Sequence, residues 1–126
     1  MPRSDQENCA SNDHRSGVQR HRSNIRRYND KFRRSFNGGK ILLTCGVQAL
    51  DPVLVQEILL AVQQFDQFDS ANDPYNEHDF GTLSLGRQRL CWKIDYYDKS
   101  MQFGSSDPSD EDQTVRVLTV MLTSEY

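Results

Sequence analysis

Apolar residues at Ile25, Tyr28, Phe32 and Phe36 recur at the spacing of one helix face. Ser23 offers a side-chain cap ahead of them, and Asn37-Gly38-Gly39 supplies a stop. The run Lys40–Cys45 (KILLTC) lies between glycines and reads as a short buried strand. Asp51-Pro52 then opens a second helix, with Asp as N-cap and Pro at the first helical position. Val55, Ile58, Leu59, Val62 and Phe65 form its stripe. The cleanest period-two pattern follows: Leu90, Trp92, Ile94 and Tyr96 alternate with Arg89, Cys91, Lys93, Asp95 and Tyr97.

Two tight turns would bring neighbouring runs into register with that strand. A II′ turn at Gly86-Arg87 places Leu83 opposite Leu90 and Gly81 opposite Trp92, with Gly81 leaving room for the indole. A turn at Asp98-Lys99 places Tyr96 opposite Met101 and Ile94 opposite Phe103. The pattern predicts a three-stranded antiparallel meander with Trp92 near the core centre. Thr114–Tyr126 admits two readings: Val115, Val117 and Thr119 alternate, whereas Leu118, Met121 and Leu122 fall at helical spacing. Its length and the acidic segment ahead of it favour a helix. The expected fold class is α+β: helix, strand, helix, three-stranded antiparallel meander and C-terminal helix, with the helices packed on one sheet face. Strand 40–45 is expected to join the sheet. Residues 1–22 are polar and basic and are expected to be disordered or to extend the first helix, leaving one domain over 23–126.

Length and composition change this picture little. At 126 residues, 36% of them hydrophobic and 26% charged, the chain can bury a core without metal or disulfide staples. No apolar run is long enough to span a bilayer and no apolar signal core follows Met1, so no membrane association is expected. Cys9, Cys45 and Cys91 form no CxxC pair, which suits free thiols in a reducing, cytoplasmic compartment.

Charge changes it more. Residues 1–50 carry ten Lys and Arg against four Asp and Glu, and residues 51–126 carry five against fourteen, within a net charge of −3. Such asymmetry indicates either a charged partner or opposite faces that meet within the fold.

The segments Asp73-Pro74-Tyr75, Glu77-His78-Asp79-Phe80-Gly81, Trp92-Lys93-Ile94-Asp95-Tyr96-Tyr97-Asp98 and Arg116-Val117-Leu118-Thr119 carry a resemblance. So do Phe103-Gly104-Ser105 and Ser124-Glu125-Tyr126. Over about residues 23–126 the chain resembles a domain-of-unknown-function family of short proteobacterial proteins, mainly alphaproteobacterial and often borne on mobile elements. Residues 1–22 lie outside the resemblance, and Asp110-Glu111-Asp112 is heavier in charge than the family pattern. The resemblance implies no enzymatic activity. It raises an accessory role such as interference with a host defence system.

Candidate chemistry falls into three sets. Asp66, Asp69, Asp73, Glu77 and Asp79 precede the meander, and Asp107, Asp110, Glu111 and Asp112 follow it. Together they suit a host protein with a basic, nucleic-acid-handling surface, such as a defence complex inhibited in the manner of an anti-CRISPR, or else they are ordinary solubilising loops. Glu77-His78-Asp79, with Asp95, suggests a metal-dependent hydrolase or nuclease. Adjacent residues on an extended chain point to opposite sides, which instead favours a capped loop. Arg26, Arg27, Lys31, Arg33 and Arg34, with Arg20 and Arg22 beyond them, suit phosphate contacts, or else form a solvated face or one docked on the protein's own acidic loops. No GxSxG, HExxH, P-loop or dinucleotide fingerprint occurs, so neither catalytic residues nor a cofactor are expected. The leading expectation is a non-enzymatic interaction protein acting through its acidic loops.

Overall fold

The computed structural model describes residues 13–126, with side chains described from Arg22 onward. The order is α1 (Asp13–Ser35), β1 (Gly39–Leu43), α2 (Cys45–Gln48), α3 (Pro52–Gln63), β2 (Phe80–Leu85), β3 (Gln88–Tyr97) and β4 (Val115–Leu122), with 3-10 turns at Glu111–Gln113 and Thr123–Glu125. The architecture is α+β, and the sheet has four strands in the order β1-β4-β3-β2.

Local signals set several elements as expected. Asp51 Oδ1 accepts from the Val53 amide at 2.8 Å, capping α3 with Pro52 behind it. Gly86 sits at φ +58° and joins β2 to β3, the conformation a II′ turn asks of its first central residue. Leu83 faces Leu90 and Gly81 faces Trp92. A Cβ on Gly81 would lie 2.6 Å from Trp92 Nε1, so the bare backbone there is what lets the indole seat. Helix α1 stops at Ser35, although Phe36 (φ +58°) takes the left-handed position that a glycine was expected to fill.

Helix α1 begins at Asp13, ten residues before the expected cap Ser23, which therefore lies inside the helix. The remainder of the expected disordered extension, residues 1–12, lies outside the described residues.

Two expectations at the third strand are overturned. Thr114–Tyr126 is not a helix: Val115–Leu122 is a central strand, antiparallel to β3 and parallel to β1. Arg116, Val117, Leu118, Val120 and Met121 are all buried, because neighbours cover β4 on both edges and both faces. A strand buried in this way loses clean alternation and acquires helix-like apolar spacing by chance. Nor do Met101 and Phe103 form a strand opposite Ile94 and Tyr96. Those positions face Leu118 and Arg116 of β4, and only Tyr97 and Gly104 form a lone bridge. Asp98 Oδ1 draws in the Ser100 hydroxyl at 2.7 Å and the Gln102 amide at 3.2 Å, while Met101 adopts φ +62°. The result is a closed loop that leaves Phe103 exposed.

The core lies on one sheet face. Phe32 of α1, Val47 of α2 and Ile58 and Val62 of α3 pack with Leu90, Trp92, Ile94, Leu118 and Val120. Fully burying such a side chain contributes about 2 kcal/mol. Strand β1 joins the sheet as expected, at an edge. Among the described residues, no helix is long and apolar enough to cross a membrane.

Candidate functional site

The stripe of α1 that meets the sheet carries polar groups at two of its positions. Asn29 follows Ile25 by four residues and Arg33 follows Asn29 by four, so helical geometry turns both inward with Phe32. Both are wholly buried. Burial at this cost requires partners. Asn29 Nδ2 donates to Tyr96 Oη at 2.8 Å and to the Glu77 carbonyl at 3.0 Å, and its Oδ1 accepts from Arg116 Nε at 2.7 Å. Arg116 also donates to the Pro108 carbonyl at 2.6 Å, and its guanidinium lies between the Tyr28 and Tyr96 rings at 5.5 and 5.3 Å. Desolvation lowers the Arg116 pKa below its ordinary value, which the facing rings and carboxylates partly offset. Tyr96 Oη donates in turn to Glu77 Oε1 at 3.0 Å, and burial pushes the phenol far above its ordinary range.

The loop 66–79 folds against this helix. Asp69 Oδ1 accepts from the amides of Ala71 and Asn72, both at 2.9 Å. Asp73, 6% exposed, accepts from the amides of Glu77 and His78 through Oδ1 at 2.9 and 3.1 Å. Asn76 and His78 both adopt left-handed backbone, at φ +57°. The His78 ring then stacks flat on Phe68, centroids 3.8 Å apart. Its Nδ1 meets Asp30 Oδ1 at 2.8 Å, and its Nε2 lies 3.7 Å from Asp73 Oδ2. Burial acts to raise the Asp30 pKa, but His78 and Arg33 outweigh it and hold the carboxyl below its ordinary value. Asp79 differs. Burial first, then Glu77, Asp73 and Asp95, push its pKa up to about 6.

The loop 98–114 reaches the same helix. Glu111 faces Lys31 at 3.8 Å, both exposed, and Asp110 caps the 3-10 turn through the Asp112 amide at 2.9 Å. Asp107 Oδ1 accepts from the Ser109 amide at 3.1 Å.

The expected acidic set therefore divides. Asp66, Asp69, Glu111 and Asp112 are exposed. Asp107, Asp110, Glu77 and Asp79 are half-buried, and Asp73 is buried with its carboxylate turned onto the backbone. The basic set divides too. Arg33 does not belong to a solvent face: it donates to Asp30 at 3.0 Å and to the Phe65 carbonyl at 3.1 Å and lies over Phe68 and Trp92. Arg26 reaches the Asn76 carbonyl at 3.5 Å and Lys31 reaches Glu111, while Arg27 and Arg34 stay exposed. Parts of the basic helix thus dock on the protein's own acidic loops.

Glu77, His78, Asp79 and Asp95 are not brought together as ligands. Glu77 takes Tyr96, His78 sits between Asp30 and Asp73, and Asp95 pairs with Lys93 at 2.8 Å. Among the described residues, no three His, Cys, Asp or Glu side chains are grouped to hold a metal ion. Each His78 nitrogen faces a carboxylate, so neither is presented to a hydroxyl or thiol. Cys45 is exposed and Cys91 buried, both free.

Sequence reasoning missed Asn29, Asp30, Tyr96 and Arg116 as an assembled group. The one usable signal was position: Asn29 and Arg33 occupy the apolar stripe, and Arg116 interrupts an apolar run. Beside this group, Phe68, Asp69, Ser70, Asp73, Pro74 and Asn76 line a hollow of about 370 Å³ with His78 at its wall.

No curated protein and no solved structure matches the chain. One family model does match, over residues 43–125, a span that takes in α2, α3, strands β2 to β4 and both acidic loops while leaving α1 outside. The chain belongs to the family described as Protein of unknown function (DUF3768).

Proposed function

We propose that the protein is a non-enzymatic interaction module that binds a basic, nucleic-acid-handling protein through its two acidic loops: exposed Asp66 and Asp69 on one, and half-buried Asp110 with exposed Glu111 and Asp112 on the other. The observation that carries this reading is the buried bridge between the loops. The Glu77 carbonyl, Asn29, Arg116 and the Pro108 carbonyl form one continuous hydrogen-bonded chain. It ties both acidic segments to the same helix, which supports reading their exposed charges as one surface. A negative surface of this kind accelerates encounter with a phosphate-binding groove and competes for it. An inhibitor of a nucleic-acid-targeting defence complex, carried on a mobile element, fits that chemistry.

The test is capture from a bacterial lysate on the immobilised protein at stepped salt, followed by identification of what is retained. Retention should fall as salt rises, and Asp110→Asn/Glu111→Gln/Asp112→Asn should release the partner. Retention that ignores both salt and those substitutions would overturn the reading.

A further inference from the structure

The hollow beside His78 has the features of a receptor for one particular side chain. Its volume is about 370 Å³, and no Lys or Arg lines it. Two carboxylates do, and each is half-used. Asp69 and Asp73 spend Oδ1 on loop amides. Neither Oδ2 accepts a hydrogen bond within the described residues, and Asp73 Oδ2 meets only His78 Nε2, at 3.7 Å. Asp73 is 6% exposed. Its second oxygen is therefore held in place by the backbone bonds on the first, at a residue that lines the hollow. A pre-positioned carboxylate oxygen gains most from a charged donor that enters the hollow.

The charged groups on the lining itself are carboxylates: Asp69 and Asp73 face the hollow from the loop, and Asp30 stands behind His78 on α1. The nearby guanidinium groups are engaged elsewhere, Arg33 with Asp30, Arg26 at the Asn76 carbonyl and Arg22 over the Tyr75 ring. The walls are mixed: Phe68 and Pro74 are apolar, whereas Ser70 and Asn76 add neutral polar groups.

We propose that this hollow receives an arginine side chain from the basic partner, its methylene stem against Phe68 and Pro74 and its guanidinium on the free oxygens of Asp69 and Asp73. The inference rests on the interaction reading above and names the group recognised. Arginine fits better than lysine because the acceptors are several and separated, which suits a planar fork of five donors rather than a compact ammonium. The same loop already takes guanidinium groups of its own chain: Arg33 lies over Phe68 and Arg22 over Tyr75, at 5.3 and 5.5 Å.

The experiment is an amide-resolved NMR titration of the full chain with N-acetyl-arginine amide, N-acetyl-lysine amide and the uncharged isostere N-acetyl-citrulline amide. Arginine should give saturable shifts confined to residues 68–78, in the millimolar range expected of a single side chain. Lysine should bind several-fold more weakly, and citrulline should leave the spectrum unchanged. Asp69→Asn keeps the amide-capping oxygen and removes the charge, so it should weaken the response several-fold. Ser70→Phe fills the hollow while leaving every charge in place and should abolish it. Shifts that spread over all acidic loops, fail to saturate, appear equally with citrulline, or persist in Ser70→Phe would overturn the proposal. If lysate capture still depends on Asp110, Glu111 and Asp112 in that event, the hollow is wrong and the charged surface stands.

Discussion

Arg116 Nε donates to Asn29 Oδ1 at 2.7 Å, joining two side chains 87 positions apart where solvent scarcely reaches. The bond fixes which way the Asn29 carboxamide faces, because only its nitrogen can then donate to Tyr96 and to the Glu77 carbonyl. Helix α1, strands β3 and β4 and the loop at Glu77 meet at this one amide, and Arg116 carries the link on to Pro108 of the second acidic loop.

Asn29→Ala should therefore act on the whole flank rather than on the helix alone. It removes three hydrogen bonds and leaves Arg116 buried without its side-chain acceptor. The expected loss is about 3 kcal/mol. Urea unfolding checks it, and hydrogen exchange should show the amides of Glu77 and His78 losing protection together.

Arginines on α1 should separate by position. Arg33→Ala strips Asp30 and the Phe65 carbonyl of a buried partner and should cost about 3 kcal/mol. Arg27→Ala and Arg34→Ala, on the exposed side, should change stability by less than about 0.5 kcal/mol. Thermal melts of the three variants decide it.

Asp79 sets a pH dependence of definite sign. Its pKa is raised to about 6 in the folded protein against an ordinary 3.8, so the folded state binds the proton more tightly. The penalty for ionised Asp79 is fully present above about pH 6 and disappears as pH falls through the window towards 3.8. Stability should thus rise on going from pH 7 to pH 5 in the contribution of this group. Asp79→Asn should flatten that rise and stabilise the protein at pH 7, by on the order of 1 kcal/mol once solvent screening is allowed for. Urea midpoints measured across the window for both proteins provide the comparison.

The two hairpin glycines should fail for different reasons. Gly81→Ala drives a Cβ to 2.6 Å from Trp92 Nε1 and 2.8 Å from the Phe65 ring, an overpacking that costs about 2 kcal/mol. Gly86→Ala meets no atom within 4 Å and pays only for φ +58°, about 1 kcal/mol. Trp92 fluorescence should shift in the first variant and hold in the second.

What could be read from the residues was the part governed by nearest neighbours. The Gly86-Arg87 turn sets the Leu83–Leu90 register, and Asp51-Pro52 starts α3, because each signal acts within a few residues. β4 was unreadable for the opposite reason. Its two-faced burial comes from β1 and β3, which lie far away in sequence, and the alternation of Val115, Val117 and Thr119 was the weaker half of a mixed pattern. Arg33 was misplaced because its charge spoke for the surface while its position, four residues beyond Asn29, spoke for the core. Of the acidic set, Asp73 was chosen for its charge, yet its role is to hold the turn that shapes the hollow. Asn29 carried no chemical signal at all; only the helix period pointed to it.

The place of β4 has a consequence for the order in which the protein can form. The strand enters between β1 and β3, which precede it in synthesis and have no pairing with each other in the sheet. As the chain leaves the ribosome, the β2–β3 hairpin can close by itself, while β1 waits across more than seventy residues for its parallel partner. Such long-range closure carries most of the entropic cost before any return. Docking of β4 should consequently be the slow, all-or-none event. The two acidic loops, tied together through Arg116 on that same strand, gain their fixed spacing only in that step.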